Sequence, residues 1–282
     1  MRNTVLSIIL LWYCSAQSFA QNVVYAAAEQ DSYYTDLLAL ALSYSIDKNY
    51  TVSRYNKDIP KPRLFEQMAQ GRGVDVVNGS ATHARLDKYQ AIHFPILRGL
   101  KSWRIALIHK STPDLFANIH TLEQFKALDP VQFNTWVSTR IFRENGIKVV
   151  TTANFKGLFQ MLNSQRSDYF PRSILDIRRE LKQFSHLNIM IDPYLLIQYP
   201  SAFYFYVKKD NNELASDINN GLEKALVDGR FGKLFYQAFG QELRALKLQD
   251  RRVIRLDNHS LPSSVPLNRP ELWVDHSYTV SL

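Results

Sequence analysis

Residues 71–95 read GRGVDVVNGSATHARLDKYQAIHFP, and the fold follows from how that stretch is parsed. Val74 to Val77 is a short β-branched run between Gly73 and Asn78-Gly79, which predicts a buried strand ending in a turn. Ser80, Thr82 and Arg85 leave that turn on small-residue backbone. Two hydroxyls and one guanidinium so close together can hold a carboxylate or another planar oxyanion. The same residues also suit a plainer role, with Ser80 and Thr82 capping the next helix and Arg85 on a solvated face.

Upstream, Val23 to Ala27 does not alternate in polarity and predicts a first strand buried on both sides. Asp31-Ser32 supplies an N-cap for a helix that places Leu37, Ala41 and Tyr44 on one face. Thr51 to Tyr55 predicts a second strand, and a short helix with Leu64, Phe65, Met68 and Ala69 follows, ended by Gly71. Strand and helix therefore alternate up to the opening motif, the pattern of a βαβ sheet. Ligands of such sheets sit at the carboxyl ends of the strands, so Tyr33 or Tyr34 could stack on one, although a tyrosine at a helix entry is as often a packing residue.

Downstream, Ser102 to Ile108 predicts a strand leaving the first lobe, and Thr121 to Gln124 has capping-box spacing. Val131 to Val137 predicts a strand, with Ser138-Thr139 capping the helix after it; free amides there could receive an anionic group. Further strands are expected at Ile147 to Val150 and Asp168 to Arg172, with a helix from Asn154 to Leu162 between them. The aromatic run Pro200 to Val207 predicts a return crossing, so that one sheet domain is inserted into another to form a hinge. Two helical stripes follow, through Leu222 and through Phe235. The tail beyond Leu246 carries Pro262, Pro266 and Pro270 and is expected as surface coil.

The order acidic strand, Gly, Ser-x-Thr-x-x-Arg and Phe94-Pro95 resembles the extracytoplasmic solute-binding proteins of the polar amino-acid type (family 3-like). The segments Phe155 to Leu162 and Leu222 to Phe231 are similar to helices of that family too. The resemblance implies an α/β, two-lobed type II periplasmic-binding fold, each lobe a mostly parallel sheet flanked by helices, with two crossover strands as hinge. The implied division is a signal peptide at 1–20, a discontinuous first lobe at 21–104 and 203–282, and a second lobe at 105–202. It also implies that Ser80 and Arg85 grip a ligand carboxylate. Where the family has Gly-Thr at the second-lobe helix, this chain has Ser138-Thr139. Where the family ends a strand on an acid that binds the ligand ammonium, this chain has Arg172 or Ser173. Arg172 in the cleft would favour an anion without an ammonium group, or one with several acidic groups; alternatively it pairs with Asp168 or Asp176 at a surface turn. The implied ligand is an amino acid or another small carboxylate, and the implied partner a membrane transporter permease or a sensor protein. A monomer is expected, without cofactor or metal.

The ends and composition agree with export. Arg2, an apolar run from Val5 to Tyr13 and Ser18-Phe19-Ala20 read as a cleavable secretory signal, shorter than the about 20 residues of a membrane span. The one cysteine, Cys14, falls inside it, behind Trp12 and Tyr13 where a lipoprotein signal needs small residues. Disulfide, thiolate and thiol-nucleophile chemistry are thereby excluded from the mature chain. A net charge of +8 suits anionic ligands, and nucleic acid is excluded by periplasmic export and by the scatter of the charges. No G-x-S-x-G, H-E-x-x-H, G-x-x-x-x-G-K or G-x-G-x-x-G occurs. Two alternatives remain open: an exported, dehydratase-like enzyme on the same scaffold, with Glu29 and Asp168 as nearest candidate acids, and a ligand-sensing or signalling module.

Overall fold

A computed structural model describes residues 20–26, 32–55, 57 and 59–274. Residues 1–19 of the signal segment, Cys14 among them, and Glu29 and the expected cap Asp31 lie outside these. In the first lobe β1 (Gln21–Tyr25) and β2 (Tyr50–Arg54) run parallel, joined by α1 (Ser32–Leu42). Helix α2 (Lys61–Ala69) leads to β3 (Val77–Ser80), which continues the parallel set through a Tyr25–Val76 bridge. Strand β3 starts later than the Val74–Val77 run suggested, so Ser80 is its last residue rather than part of a turn beyond it. After α3 (His83–Lys88) comes β4 (Gln90–Ala91).

The chain then crosses into β5 (Arg104–His109), the first strand of a second sheet. Helix α4 (Leu122–Lys126) opens on the predicted capping box of Thr121 and Gln124. The parallel pair β6 (Val131–Phe133) and β7 (Val150–Thr152) surrounds α5 (Val137–Glu144). Helix α6 (Phe155–Asn163) starts where Asn154 Oδ1 accepts the Gly157 amide at 3.1 Å, and it leads to β8 (Tyr169–Ser173). A Pro130–Tyr169 bridge sets β8 parallel to β6, while β5 runs antiparallel to β8. Next come α7 (Ile177–Gln183), β9 (Ile189–Ile191) and β10 (Leu195–Gln198).

Strand β11 (Phe203–Val207) returns to the first lobe and inserts antiparallel between β3 and β4. Helices α8 (Asn212–Val227) and α9 (Arg230–Ala245) cover that lobe, and Gly221 of α8 touches Ala41 of α1 so closely that an added Cβ would lie 1.9 Å from the Ala41 carbonyl oxygen. The tail is not all coil: β12 (Arg252–Arg255) pairs parallel with β10 in the second sheet. Prolines at 262, 266 and 270 left room for a strand just before them, where the β-branched pair Val253-Ile254 stands between Arg252 and Arg255.

The crossings decide which edges face each other. Phe203, at the start of β11, is paired with Ser80 at the carboxyl end of β3. Arg104, at the start of β5, is paired with Ser173 at the carboxyl end of β8, and the Ile174 amide donates to the Trp103 carbonyl. Both parallel sets therefore present their carboxyl edges to the hinge, and hence to each other.

Candidate functional site

On the first-lobe edge, Arg85 belongs to the first turn of α3, whose N-cap is Thr82; the Thr82 hydroxyl accepts the Arg85 amide at 3.3 Å. Thr82 is thus a capping residue, as the plainer reading had it. Arg85 is not on a solvated face. Its Nη1 donates to the Ser80 carbonyl at 2.8 Å and its guanidinium lies 5.0 Å from the Phe65 ring centroid. Gly79 makes this possible, since a Cβ there would stand 2.9 Å from Phe65 and 3.3 Å from Arg85 Nη1. Burial holds the guanidinium below its ordinary pKa, with the Tyr206 and Tyr89 hydroxyls opposing the shift. No carboxylate among the described residues forms an ion pair with Arg85.

Beside it, Tyr206 donates to the Ser80 carbonyl at 3.1 Å, so that carbonyl is doubly occupied and only the Ser80 hydroxyl is left to a ligand. Asn78 donates to the Tyr25 hydroxyl and accepts from Lys61, whose ammonium also lies 5.6 Å from the Phe203 ring. Sequence reasoning missed Lys61, Asn78 and Phe203. Asn78 read only as a turn former and Phe203 only as part of a crossing strand.

The two tyrosines of α1 part company. Tyr33 is 5% exposed, its hydroxyl donates to the Ile96 carbonyl at 2.6 Å, and its ring packs on Phe239 at 4.8 Å. Burial raises its phenol well above the usual value. Tyr33 is therefore a packing residue, with its hydroxyl committed. Tyr34 stays half-buried, 6.3 Å from Tyr25 and 6.2 Å from Phe203. Both line a cavity of about 290 Å³ between α1, α9 and the start of α7, with Lys101, Asp176, Arg179 and Glu242 on its walls. Lys101 and Asp176 form a 2.6 Å ion pair on its wall. Burial pushes the Asp176 carboxyl up, but Lys101, Arg172 and Arg179 outweigh this and hold it below the usual range.

On the second-lobe edge, the cap of α5 is Trp136 rather than Ser138-Thr139. Both hydroxyls point inward: Ser138 Oγ donates to Gln132 Oε1 at 2.6 Å and Thr139 Oγ1 to the Phe133 carbonyl at 2.7 Å. They fasten the helix to β6, which leaves backbone amides as the only polar groups of that helix end open to a ligand. Val131 to Val137 ran too long because β6 stops at Phe133, Asn134-Thr135 turn the chain, and Val137 already opens α5.

Arg172 departs from both sequence readings. It pairs neither with Asp168 nor with Asp176 at a surface turn, and it offers no spare charge. Its Nε donates to Glu180 Oε2 at 2.5 Å, and its Nη2 donates to Oε1; the two residues are 7% and 6% exposed. The guanidinium lies 4.7 Å from the Trp136 centroid, 4.8 Å from Phe170 and 5.6 Å from Phe155. Glu180 was missed because nothing at sequence spacing eight marks a helix residue as partner to a strand end. Asp168 is far from the hinge edge: it starts the turn into β8, and its carboxylate accepts the Asp129 amide at 2.7 Å. No group of three or more potential metal-ligating side chains occurs among the described residues. No described helix is long and apolar enough to cross a membrane.

No protein-family model and no curated sequence matches the chain. Solved structures do, at low identity. A "probable amino-acid ABC transporter extracellular-binding protein ytmK" from Bacillus subtilis is similar at TM-score 0.59 and 14% identity, over 79% of this chain and 100% of that one. A structure described for glutathione import via GshT and the cystine ABC importer TcyBC of Streptococcus mutans gives 0.55 and 14%, over 79% and 96%. An ancestral arginine-binding protein bound to arginine gives 0.52 and 20%, over 78% and 97%. The architecture is thus the two-lobed type II periplasmic-binding fold.

Proposed function

We propose that the chain is a non-catalytic, extracytoplasmic solute receptor that holds a small carboxylate between its lobes and presents it to a membrane transporter. The observation that carries this is Arg85. A guanidinium keeps its charge at neutral pH, and a largely buried cation without an acidic partner is costly unless an anion completes it. It stands at the carboxyl edge of a parallel sheet, where such sheets bind ligands, and beside a free hydroxyl at Ser80. The matched structures carry names of amino-acid importer components, which supports a transporter as the partner and export by the signal at residues 1–20. Asp168, held against the Asp129 amide, has no role as acid or base at the hinge edge, which weakens the enzyme alternative.

A panel of amino acids and carboxylates screened by thermal shift tests the proposal. At least one carboxylate is expected to raise the melting temperature of the native sequence and to leave Arg85→Ala unmoved. Equal stabilisation of both proteins refutes Arg85 as the anchor.

A further inference from the structure

The α5 and α6 ends of the second-lobe edge carry a cluster of rings. Trp136 caps α5 at the carboxyl end of β6, and Phe155 opens α6 after β7. Phe133 stacks on Trp136 at 5.7 Å and 25°, and Trp136 on Phe170 at 6.1 Å and 10°. Phe155, 6.3 Å from Trp136, is 37% exposed although large and apolar. Arg172, the guanidinium among these rings, is neutralised by Glu180 and roofed by them. Across the hinge, Tyr34 and Phe203 form a second pair of rings beside Asn78 and Arg85.

We infer that the solute is an aromatic or similarly planar carboxylate without an ammonium group, its ring received by Trp136 and Phe155 while its carboxylate meets Arg85. This rests on the receptor reading above and specifies its ligand. The carboxylate at these rings, Glu180, is already paired with Arg172 and offers a ligand ammonium no free counter-charge, whereas a ligand ring gains aromatic partners. Asp176, just past the end of β8, is committed to Lys101 and Arg179.

Three matched probes separate the contributions, measured by calorimetric titration of the full chain. 3-Phenylpropionate carries ring and carboxylate, L-phenylalanine adds the ammonium, and butyrate lacks the ring. 3-Phenylpropionate, or benzoate or indole-3-acetate in its place, is expected to bind at least roughly tenfold more tightly than the other two. Phe155→Ala, at a side chain 37% exposed and checked for folding by circular dichroism, is expected to erase most of the advantage over butyrate. Trp136→Leu, checked for folding by circular dichroism, does the same. L-phenylalanine or butyrate equalling the aromatic acids overturns the inference. Arg85-dependent binding of amino acids alone would overturn it while leaving the receptor reading intact; no Arg85-dependent carboxylate binding at all overturns both.

Discussion

Replacing Glu180 by Gln is the sharpest test of how the second-lobe edge is held. The pair it breaks is buried on both sides, with two N–H donors of Arg172 on the two carboxylate oxygens. Gln offers one acceptor and no charge, so a guanidinium stays desolvated among Trp136, Phe170 and Phe155 without its counter-ion. Removing one partner of such a pair costs about 3–5 kcal/mol. At about 2–4 °C per kcal/mol for a protein of this size, the melting temperature should fall by roughly 10 °C. The double variant Arg172→Met with Glu180→Leu removes both charges and keeps the volume. A thioether packs well on aromatic rings, so its stability should lie within about 1 kcal/mol of the native sequence. Urea unfolding of the native protein, Arg172→Met, Glu180→Leu and the double variant closes the thermodynamic cycle, with Glu180→Gln measured beside them. A loss below about 1 kcal/mol for Glu180→Gln is the value of an exposed pair and would show that water reaches Arg172.

Three further outcomes follow from the geometry. Gly221→Ala drives a methyl to 1.9 Å from the Ala41 carbonyl oxygen, a backbone atom that no rotamer can move; separating α1 from α8 should cost about 3 kcal/mol or more, read as a drop in urea midpoint. Gly79→Ala meets only the tip of Phe65 and Arg85 Nη1, so it should cost about 1 kcal/mol in stability yet weaken carboxylate binding roughly tenfold by displacing the guanidinium. The depressed Asp176 pKa means that its ion pair stabilises the fold fully above the unfolded carboxyl value of about 4 and is withdrawn as pH falls through the lower folded value. Lys101 is 35% exposed and partly screened, so Asp176→Asn should cost about 1–2 kcal/mol at pH 7, a cost that shrinks as pH falls below the unfolded carboxyl value.

Much of the architecture was legible because it rests on local signals. The β-branched run before Asn78-Gly79, the Thr121–Gln124 box and the Asn154 cap each act within a few residues, and each placed its element within a turn of where it lies. Strand β12 was hidden because its partner β10 is over fifty residues away and four residues with one β-branched pair carry little signal. In the candidate site, Arg85 and Ser80 were readable as chemistry, but not the packing on Phe65 that holds Arg85 inward. Tyr33, Ser138 and Thr139 show the limit from the other side. Their hydroxyls suggest ligand contacts in a linear sequence, and the fold turns all three to acceptors of its own, the Ile96 carbonyl, Gln132 and the Phe133 carbonyl. Arg172 needed Glu180, an ion pair made by tertiary packing between β8 and α7.

The central claim is that Arg85 awaits a carboxylate at the first-lobe edge of the hinge. A crystal structure of the protein with 3-phenylpropionate, or with whichever carboxylate stabilises it most, tests this directly. Carboxylate oxygens within hydrogen-bonding distance of the Arg85 guanidinium and the Ser80 hydroxyl, about 2.7–3.2 Å, are the expected result. A carboxylate held elsewhere, with Arg85 still bonded only to the Ser80 carbonyl, would contradict it.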